Sequence, residues 1–407
     1  MSPPVGIYLS IPFCKAKCSF CNFASDAFGM GRLGSYIDRL RDEIVTARSH
    51  AASVDAVLGR AADTVYFGGG TPSLLSPDHV RQIFTALRGE FEIANGAEIT
   101  VECAPGQLSA ETLEEFQREG MNRVSLGVQS FVDREARTVG RLHTGEECEA
   151  EIARLQRAGI ERTGIDLIAG LPHQTEASWR ESLNRAVDSG VGHVSIYMLE
   201  VDDESRLGRE VLSGGRRYGA GDLPSDDMVA EWYELGCEVL HAGGVRQYEI
   251  SNFGREGHAS RHNVKYWRRL PYIGFGLDAH SMLWTESGAV RFQNVDELST
   301  YLAGDSDALL PLMRESSRSR EVEHVTNDAA FEESLFLGLR MLEGVKLSEL
   351  REDFGEARLA SVMPSIREAC DAGLLRMDAE VLQLTARGRL ISNEVFSRLL
   401  IPEAAEV

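Results

Sequence analysis

Through the first two thirds of the chain, short apolar runs alternate with stretches of helical periodicity. Residues 5–11 (VGIYLSI), 63–70 (DTVYFGGG), 97–103 (AEITVEC), 123–130 (RVSLGVQS), 163–170 (TGIDLIAG) and 193–200 (HVSIYMLE) read as strands. Between them, residues 36–51, 76–91, 109–120, 145–158 and 176–189 carry apolar side chains three and four apart, the period of an amphipathic helix. Ser76 and Ser109 stand where N-caps belong, and Gly120 where a helix closes. Six strands with helices between them predict parallel strands joined by right-handed crossovers. The strands read as near-continuous apolar runs, the pattern of strands buried on both faces. No G-x-G-x-x-G follows the first strand, and the polar motifs gather at strand C-termini, where barrels place their sites. The predicted fold is therefore α/β, a full or partial βα barrel rather than a Rossmann sheet. Residues 247–253 and 272–281 read as further barrel strands.

Beyond about residue 290 the pattern changes. Residues 327–344, 346–356 and 358–375 read as helices, followed by two short strands and a last helix. Helix, helix, helix, hairpin, helix predicts a smaller C-terminal helical, winged-helix-like domain. The expected division is 1–240 for the core with its N-terminal cysteine loop, 241–300 for an extension, and 301–407 for the helical domain.

Charge narrows the partners. The 42 Lys and Arg against 63 Asp and Glu leave a net charge of −21. Such a chain repels nucleic acid, whose binding needs a basic surface, so the wing is expected to pack rather than read DNA. The small basic clusters lie at 261–269 (RHNVKYWRR) and 314–320 (RESSRSR). No run approaches the roughly 20 apolar residues of a membrane span, so no stable membrane insertion is expected. The N-terminus lacks a basic segment followed by a long apolar one, which predicts no signal peptide and a cytoplasmic location. There disulfides are rare, and clustered cysteines point to metal or catalysis.

Three of the seven cysteines, Cys14, Cys18 and Cys21, fall within eight positions directly after the first strand. A zinc site wants a fourth ligand nearby, but no His lies in the first 49 residues and the other cysteines are scattered. Three sulfurs suit a 4Fe–4S cluster with one iron left open.

Cys-x3-Cys-x2-Cys after a first strand resembles the signature of radical S-adenosylmethionine (SAM) proteins, and the resemblance implies a partial (β/α)6-type TIM-like barrel. The resemblance implies that the open iron takes the amino and carboxylate groups of SAM. It further implies SAM contacts from Tyr8 and Phe20, and from Gly68, Gly69, Gly70 and Thr71 of FGGGTPSLL. Glu102 would meet the ammonium and Gln129 the ribose, with Arg141 and Asp166 completing the set.

The segments IYLSIPFCKAKCSFCNF, FGGGTPSLL, RVSLGVQSF and DLIAGLPHQT are similar to the HemN/HemW group, over nearly the whole chain. That group joins oxygen-independent coproporphyrinogen III dehydrogenases to heme chaperones. The dehydrogenases carry a further cysteine two places after the third, where this chain has Phe23, and a long arm before the cluster, where it has 13 residues. HNVKYW (262–267) matches the H-N-x-x-Y-W segment associated with heme in the chaperones. The resemblance thus implies heme contacts from His262, Asn263, Tyr266 and Trp267, with Arg261, Lys265, Arg268 and Arg269 available to propionates.

The expected function is a heme chaperone that hands heme to an acceptor protein, with an electron donor if SAM is cleaved; whether it turns over as an enzyme stays open. The alternatives are the dehydrogenase reaction and a HemN-like methylase or cyclopropanase. Two positions depart from the relatives. Ser10 stands where a His is common, and Ala104 replaces an Asn in Glu-x-Asn-Pro. Both touch turnover more than cofactor binding.

Overall fold

The computed structural model describes residues 3–304 and 322–400. The basic cluster at 314–320 lies outside them. Strands β1 (Val5–Ile11), β2 (Ala61–Gly69), β3 (Glu92–Cys103), β4 (Arg123–Gln129), β5 (Arg162–Ala169) and β6 (His193–Met198) form consecutive parallel neighbours. They alternate with α1 (Leu33–Ser53), α2 (Pro77–Glu90), α3 (Ala110–Arg118), α4 (Asp133–Thr138), α5 (Gly145–Arg157) and α6 (Glu176–Asp188). Ser76 and Ser109 cap α2 and α3 as the sequence indicates. β1 and β6 do not pair with each other, so the barrel is partial.

After β6 come α7 (Arg206–Leu212), α8 (Asp226–Ala242), β7 (Arg246–Gln247), β8 (Asn252–Gly254), α9 (Arg261–Trp267), β9 (Tyr272–Phe275), β10 (His280–Trp284), β11 (Ala289–Gln293) and α10 (Leu298–Ala303). β9 joins β1 in parallel, while β10 and β11 extend that edge antiparallel. Residues 247–253 are not one barrel strand. Their ends form β7 and β8, which pair antiparallel, and β8 lies antiparallel on β6. β12 (Glu323–Val325), in the stretch expected to open the helical domain, adds to β11 as an edge of the sheet, which has twelve strands among the described residues.

The remainder is α11 (Asn327–Arg340), β13 (Val345–Lys346), α12 (Leu347–Phe354), α13 (Glu356–Asp371), β14 (Leu375–Asp378), β15 (Val381–Leu384), α14 (Ala386–Leu390) and α15 (Ser392–Arg398). β13, β15 and β14 make the wing, and the domain has its own core around Phe331, Leu350 and Ile366. The expected last helix is broken into two at Ile391.

One reading of the strands needs correction. They alternate rather than run apolar on both faces. Ile7, Leu9, Val65, Phe67, Ile99, Val101, Val124, Leu126, Ile165, Leu167, Val194 and Ile196 enter the main core. The intervening positions carry Tyr66, Thr100, Glu102, Ser125, Asp166, His193 and Ser195, which line an internal polar cavity. Side chains two apart share a sheet face, so the apolar set seals the sheet to its helices and the polar set faces the barrel interior. Among the described residues, no helix is long and apolar enough to cross a membrane.

Candidate cofactor site

The C-terminal ends of the strands open into a cavity of about 830 Å³. The loop after β1 brings Cys14, Cys18, Phe20 and Cys21 to its wall. Cys18 is buried, and Cys14 and Cys21 are half-buried. Each thiol has a neighbour suited to a thiolate. Thr71 Oγ1 donates to Cys14 Sγ at 3.5 Å, Arg141 Nη1 donates to Cys18 Sγ at 3.3 Å, and Ser25 Oγ lies 3.9 Å from Cys21 Sγ. Burial pushes the Cys14 and Cys21 thiols up from their ordinary pKa, because the protein alone offers little charge to balance a buried thiolate. Among the described residues, no three His, Cys, Asp or Glu side chains converge on a single ion. Three thiols on one loop match the donor set of a cluster in which each sulfur takes a separate iron and one iron stays open.

The glycine turn holds this loop against β2. Gly70 N–H donates to Ile11 O at 3.0 Å and Thr71 N–H to Phe13 O at 2.9 Å. A Cβ on Gly70 would lie 2.6 Å from Ile11 O and 2.8 Å from the Pro12 carbonyl carbon, both backbone, so no side chain fits there. Gly69 has φ +95°, a conformation open to glycine, and a Cβ there would meet Ser10 Oγ at 2.8 Å.

Glu102, at the end of β3, accepts from Tyr66 OH at 2.8 Å. Burial, reinforced by the nearby Asp166 carboxylate, pushes its pKa up to about 7, although Tyr66 and the Gly69 N–H stabilise the charge. Asp166 accepts from Ser125 Oγ at 3.2 Å and is likewise raised by burial. Two carboxylates held dry and side by side form a site that a cation relieves. Gln129 sits at φ +67°, where the β4–β5 register slips. Arg141 also donates to the Gly127 carbonyl and keeps a buried Nε without a partner.

Cys14, Cys18, Cys21, Phe20, Gly69, Gly70, Thr71, Glu102, Gln129, Arg141 and Asp166 therefore line one cavity. Gly68 and Tyr8 stand behind it: a Cβ on Gly68 would meet Glu102, Tyr66 and Tyr8 at 3.0 Å each, and the Tyr8 ring packs on Tyr66. Sequence reasoning missed Tyr66 and Ser125, which the period-2 pattern places on the same face as Glu102 and Asp166. It also missed the stretch 389–394 of the helical domain, which closes the far wall and carries no local signal.

HNVKYW lies outside this cavity, although its Asn263 lines the internal polar cavity with Tyr66, Glu102 and Asp166. It forms α9, capped by Ser260, at the N-terminal end of the barrel strands. His262 is 1% exposed. Its Nδ1 is 2.8 Å from Thr64 Oγ1 and its Nε2 2.8 Å from Tyr266 OH. Burial, with Lys265 nearby, lowers its pKa to about 3. The four cations of the segment are paired: Arg261 and Lys265 with Asp63, Arg268 with Glu343, and Arg269 with Glu333. Arg340 of α11 stacks over the Trp267 ring at 4.3 Å. In this arrangement neither ring nitrogen of His262 is free for iron and none of these cations is free for a propionate. α9 braces the barrel floor against the helical domain. His262→Ala is expected to cost about 3–5 kcal/mol, from the lost packing and two hydroxyls left unpaired, read as a lower midpoint in denaturant unfolding.

The chain matches the radical SAM superfamily over residues 8–186 and the HemN C-terminal domain over residues 325–391. It is 31% identical over 395 residues to the heme chaperone HemW of Bacillus subtilis, covering 97% of this chain and 98% of that protein. The protein of the same name from Escherichia coli is 30% identical over 401 residues, covering 98% of each. That from Mycobacterium tuberculosis is 33% identical over 405, covering 98% of this chain and 95% of the other. Among solved structures, coproporphyrinogen III oxidase (HemN) from Escherichia coli superimposes with a TM-score of 0.80 at 24% identity, covering 98% of this chain and 90% of that one, a likeness of fold.

Proposed function

Because this chain belongs to the HemW family of the radical SAM superfamily, we propose that it is a heme chaperone: it binds a 4Fe–4S cluster, SAM and heme, and passes heme to an acceptor protein. The full-length likeness to proteins named heme chaperones carries this reading. Phe23 supports it over the dehydrogenase alternative, since it fills the place of that group's additional cysteine and is 65% exposed.

In this proposal Cys14, Cys18 and Cys21 hold the cluster. Glu102 accepts from the SAM amino N–H, Gln129 and Arg141 orient the rest of the molecule, and Asp166 keeps the floor polar. The cluster, when bound, supplies an open iron and an electron to SAM. The chain's own share is to fix SAM against that iron and exclude water: the glycine turn admits the ligand backbone-close, and residues 389–394 cover the cavity. Where SAM is cleaved, an electron donor is a further partner. A cytoplasmic setting belongs to the proposal, because the three thiols must stay reduced.

Heme ligation by His262, with Asn263, Tyr266 and Trp267 around the macrocycle, requires α9 to release the imidazole from Thr64 or Tyr266. The test of the function is anaerobic. Reconstituted protein is expected to take up hemin, deliver it to an apo-acceptor, and leave coproporphyrinogen III unchanged in the presence of SAM and a reductant. Accumulation of protoporphyrinogen would instead establish the dehydrogenase.

A further inference from the structure

The inner face of β2 runs from α9 to the cofactor cavity. Side chains two apart on a strand share a face, and here the set is Thr64, Tyr66 and Gly68. Thr64 Oγ1 lies 2.8 Å from His262 Nδ1. The Tyr66 ring stacks on the same imidazole, with centroids 5.2 Å apart and planes 28° from parallel. Its hydroxyl donates to Glu102 Oε1 at 2.8 Å. One side chain therefore touches both the imidazole of HNVKYW and the carboxylate given to SAM. The Tyr8 ring packs beside both, 6.0 Å from Tyr66 and 6.4 Å from His262. Asn263 of α9 shares a small polar cavity of about 50 Å³ with Tyr66, Glu102 and Asp166. The two ends of the barrel interior are thus in continuous contact.

This packing has two arrangements to choose between. In the one observed, both ring nitrogens of His262 are engaged by hydroxyls and the side chain is buried. A nitrogen that ligates iron cannot keep its hydroxyl partner, so ligation draws the imidazole away from Thr64 or Tyr266. The Tyr66 ring then loses the neighbour on which it stacks. SAM favours the first arrangement. A Glu102 that accepts from the SAM amino N–H near a sulfonium is held in its charged form, and a charged acceptor makes the stronger bond with a hydroxyl. Tyr66 is then fixed at Glu102, with its ring against the imidazole. A ligand shifts an equilibrium only by its differential affinity for the two states, and Tyr66 is where both ligands acquire one.

We propose that Tyr66 is a positioning residue that couples the two sites with opposing sign: SAM binding weakens heme binding at α9, and heme binding weakens SAM binding. The proposal deepens the heme-chaperone reading and rests on it. SAM then serves as a signal for hand-over, and no bond of SAM has to break for it to do so.

The experiment uses the cluster-reconstituted full chain without oxygen and without reductant, so that SAM stays whole. Hemin is titrated by its Soret band with and without saturating SAM, and SAM by equilibrium dialysis with and without hemin. Saturating SAM is expected to weaken hemin binding about fivefold or more, and hemin to weaken SAM binding by the same factor, because linkage is reciprocal. Tyr66→Phe keeps the ring and removes the hydroxyl. The ratio of its hemin affinities without and with SAM should fall to about one, whatever the affinities themselves. Unchanged iron and sulfide content shows that the variant is folded. Glu102→Gln keeps an acceptor for Tyr66 without the charge, and should lower the ratio too once saturated with SAM. A merely structural Tyr66 would change both affinities and leave the ratio at the parent's value, which would overturn the proposal. A parent whose hemin affinity is unchanged or raised by SAM would overturn it as well. A parent that takes up no hemin in the absence of SAM would instead remove the heme-chaperone reading, and the coupling with it.

Discussion

Serine in place of Cys14, Cys18 or Cys21, one at a time, is expected to cut iron and acid-labile sulfide after anaerobic reconstitution by more than tenfold and to abolish the brown chromophore. The reason is the donor count. Soft thiolates select iron–sulfur clusters, and this loop provides only three, so each loss leaves a second iron without a protein ligand. The informative control is Cys103. It lines the same cavity, and a fourth thiolate there would fill the open iron and leave SAM no place. Its side chain is turned toward the core: it is 4% exposed, its Sγ lies 3.8 Å from Val101 O, and it packs with Ile99 and Val101. Burial pushes its thiol far above the ordinary value, which opposes the thiolate a cluster needs. Cys103→Ser is therefore expected to keep full iron and sulfide content. Loss of the cluster in that variant would mean four thiolate ligands, and the SAM site would have to be abandoned.

These residues also mark how far the chain can be read before it folds. The six parallel strands are legible because every second residue, facing the helices, is a large apolar one such as Val65 and Phe67 or Ile99 and Val101, and the caps at Ser76 and Ser109 are legible because capping is local. The inner face is not. Tyr66, Ser125 and Ser195 are ordinary in a strand, and only their register beside Glu102 and Asp166 makes them a polar lining. The strand C-termini showed their chemistry because cysteines, a glycine run and carboxylates are rare enough to stand out. The C-terminal wall of the cavity was invisible, since Ile391 comes to share a cavity with Leu142 only through tertiary packing. α9 shows the converse. A motif with the residues of a heme site reads the same in sequence whether its imidazole faces a ligand or, as here, is held between Thr64 and Tyr266.

Glu102→Gln is expected to move affinity and stability in opposite directions. As the acceptor for the SAM amino N–H, the carboxylate contributes a charge-assisted hydrogen bond worth about 2–3 kcal/mol, so the amide should weaken SAM binding roughly 30- to 150-fold. The ligand-free fold behaves otherwise. With a pKa raised to about 7, the folded protein holds the Glu102 proton more tightly than the unfolded chain does. Stability then falls as pH rises from the ordinary glutamate range through about 7. Removing the charge relieves that cost, and the amide oxygen of the substituted side chain can still accept from Tyr66, so the variant should melt higher than the parent at about pH 8 without ligand. The same linkage sets the pH profile of SAM binding. Affinity should rise as pH increases through about 7, as the carboxyl deprotonates, and Glu102→Gln should flatten that rise. A merely structural Glu102 would give the stability change alone; unchanged SAM affinity in the variant, measured on cluster-loaded protein, would take this residue out of the site.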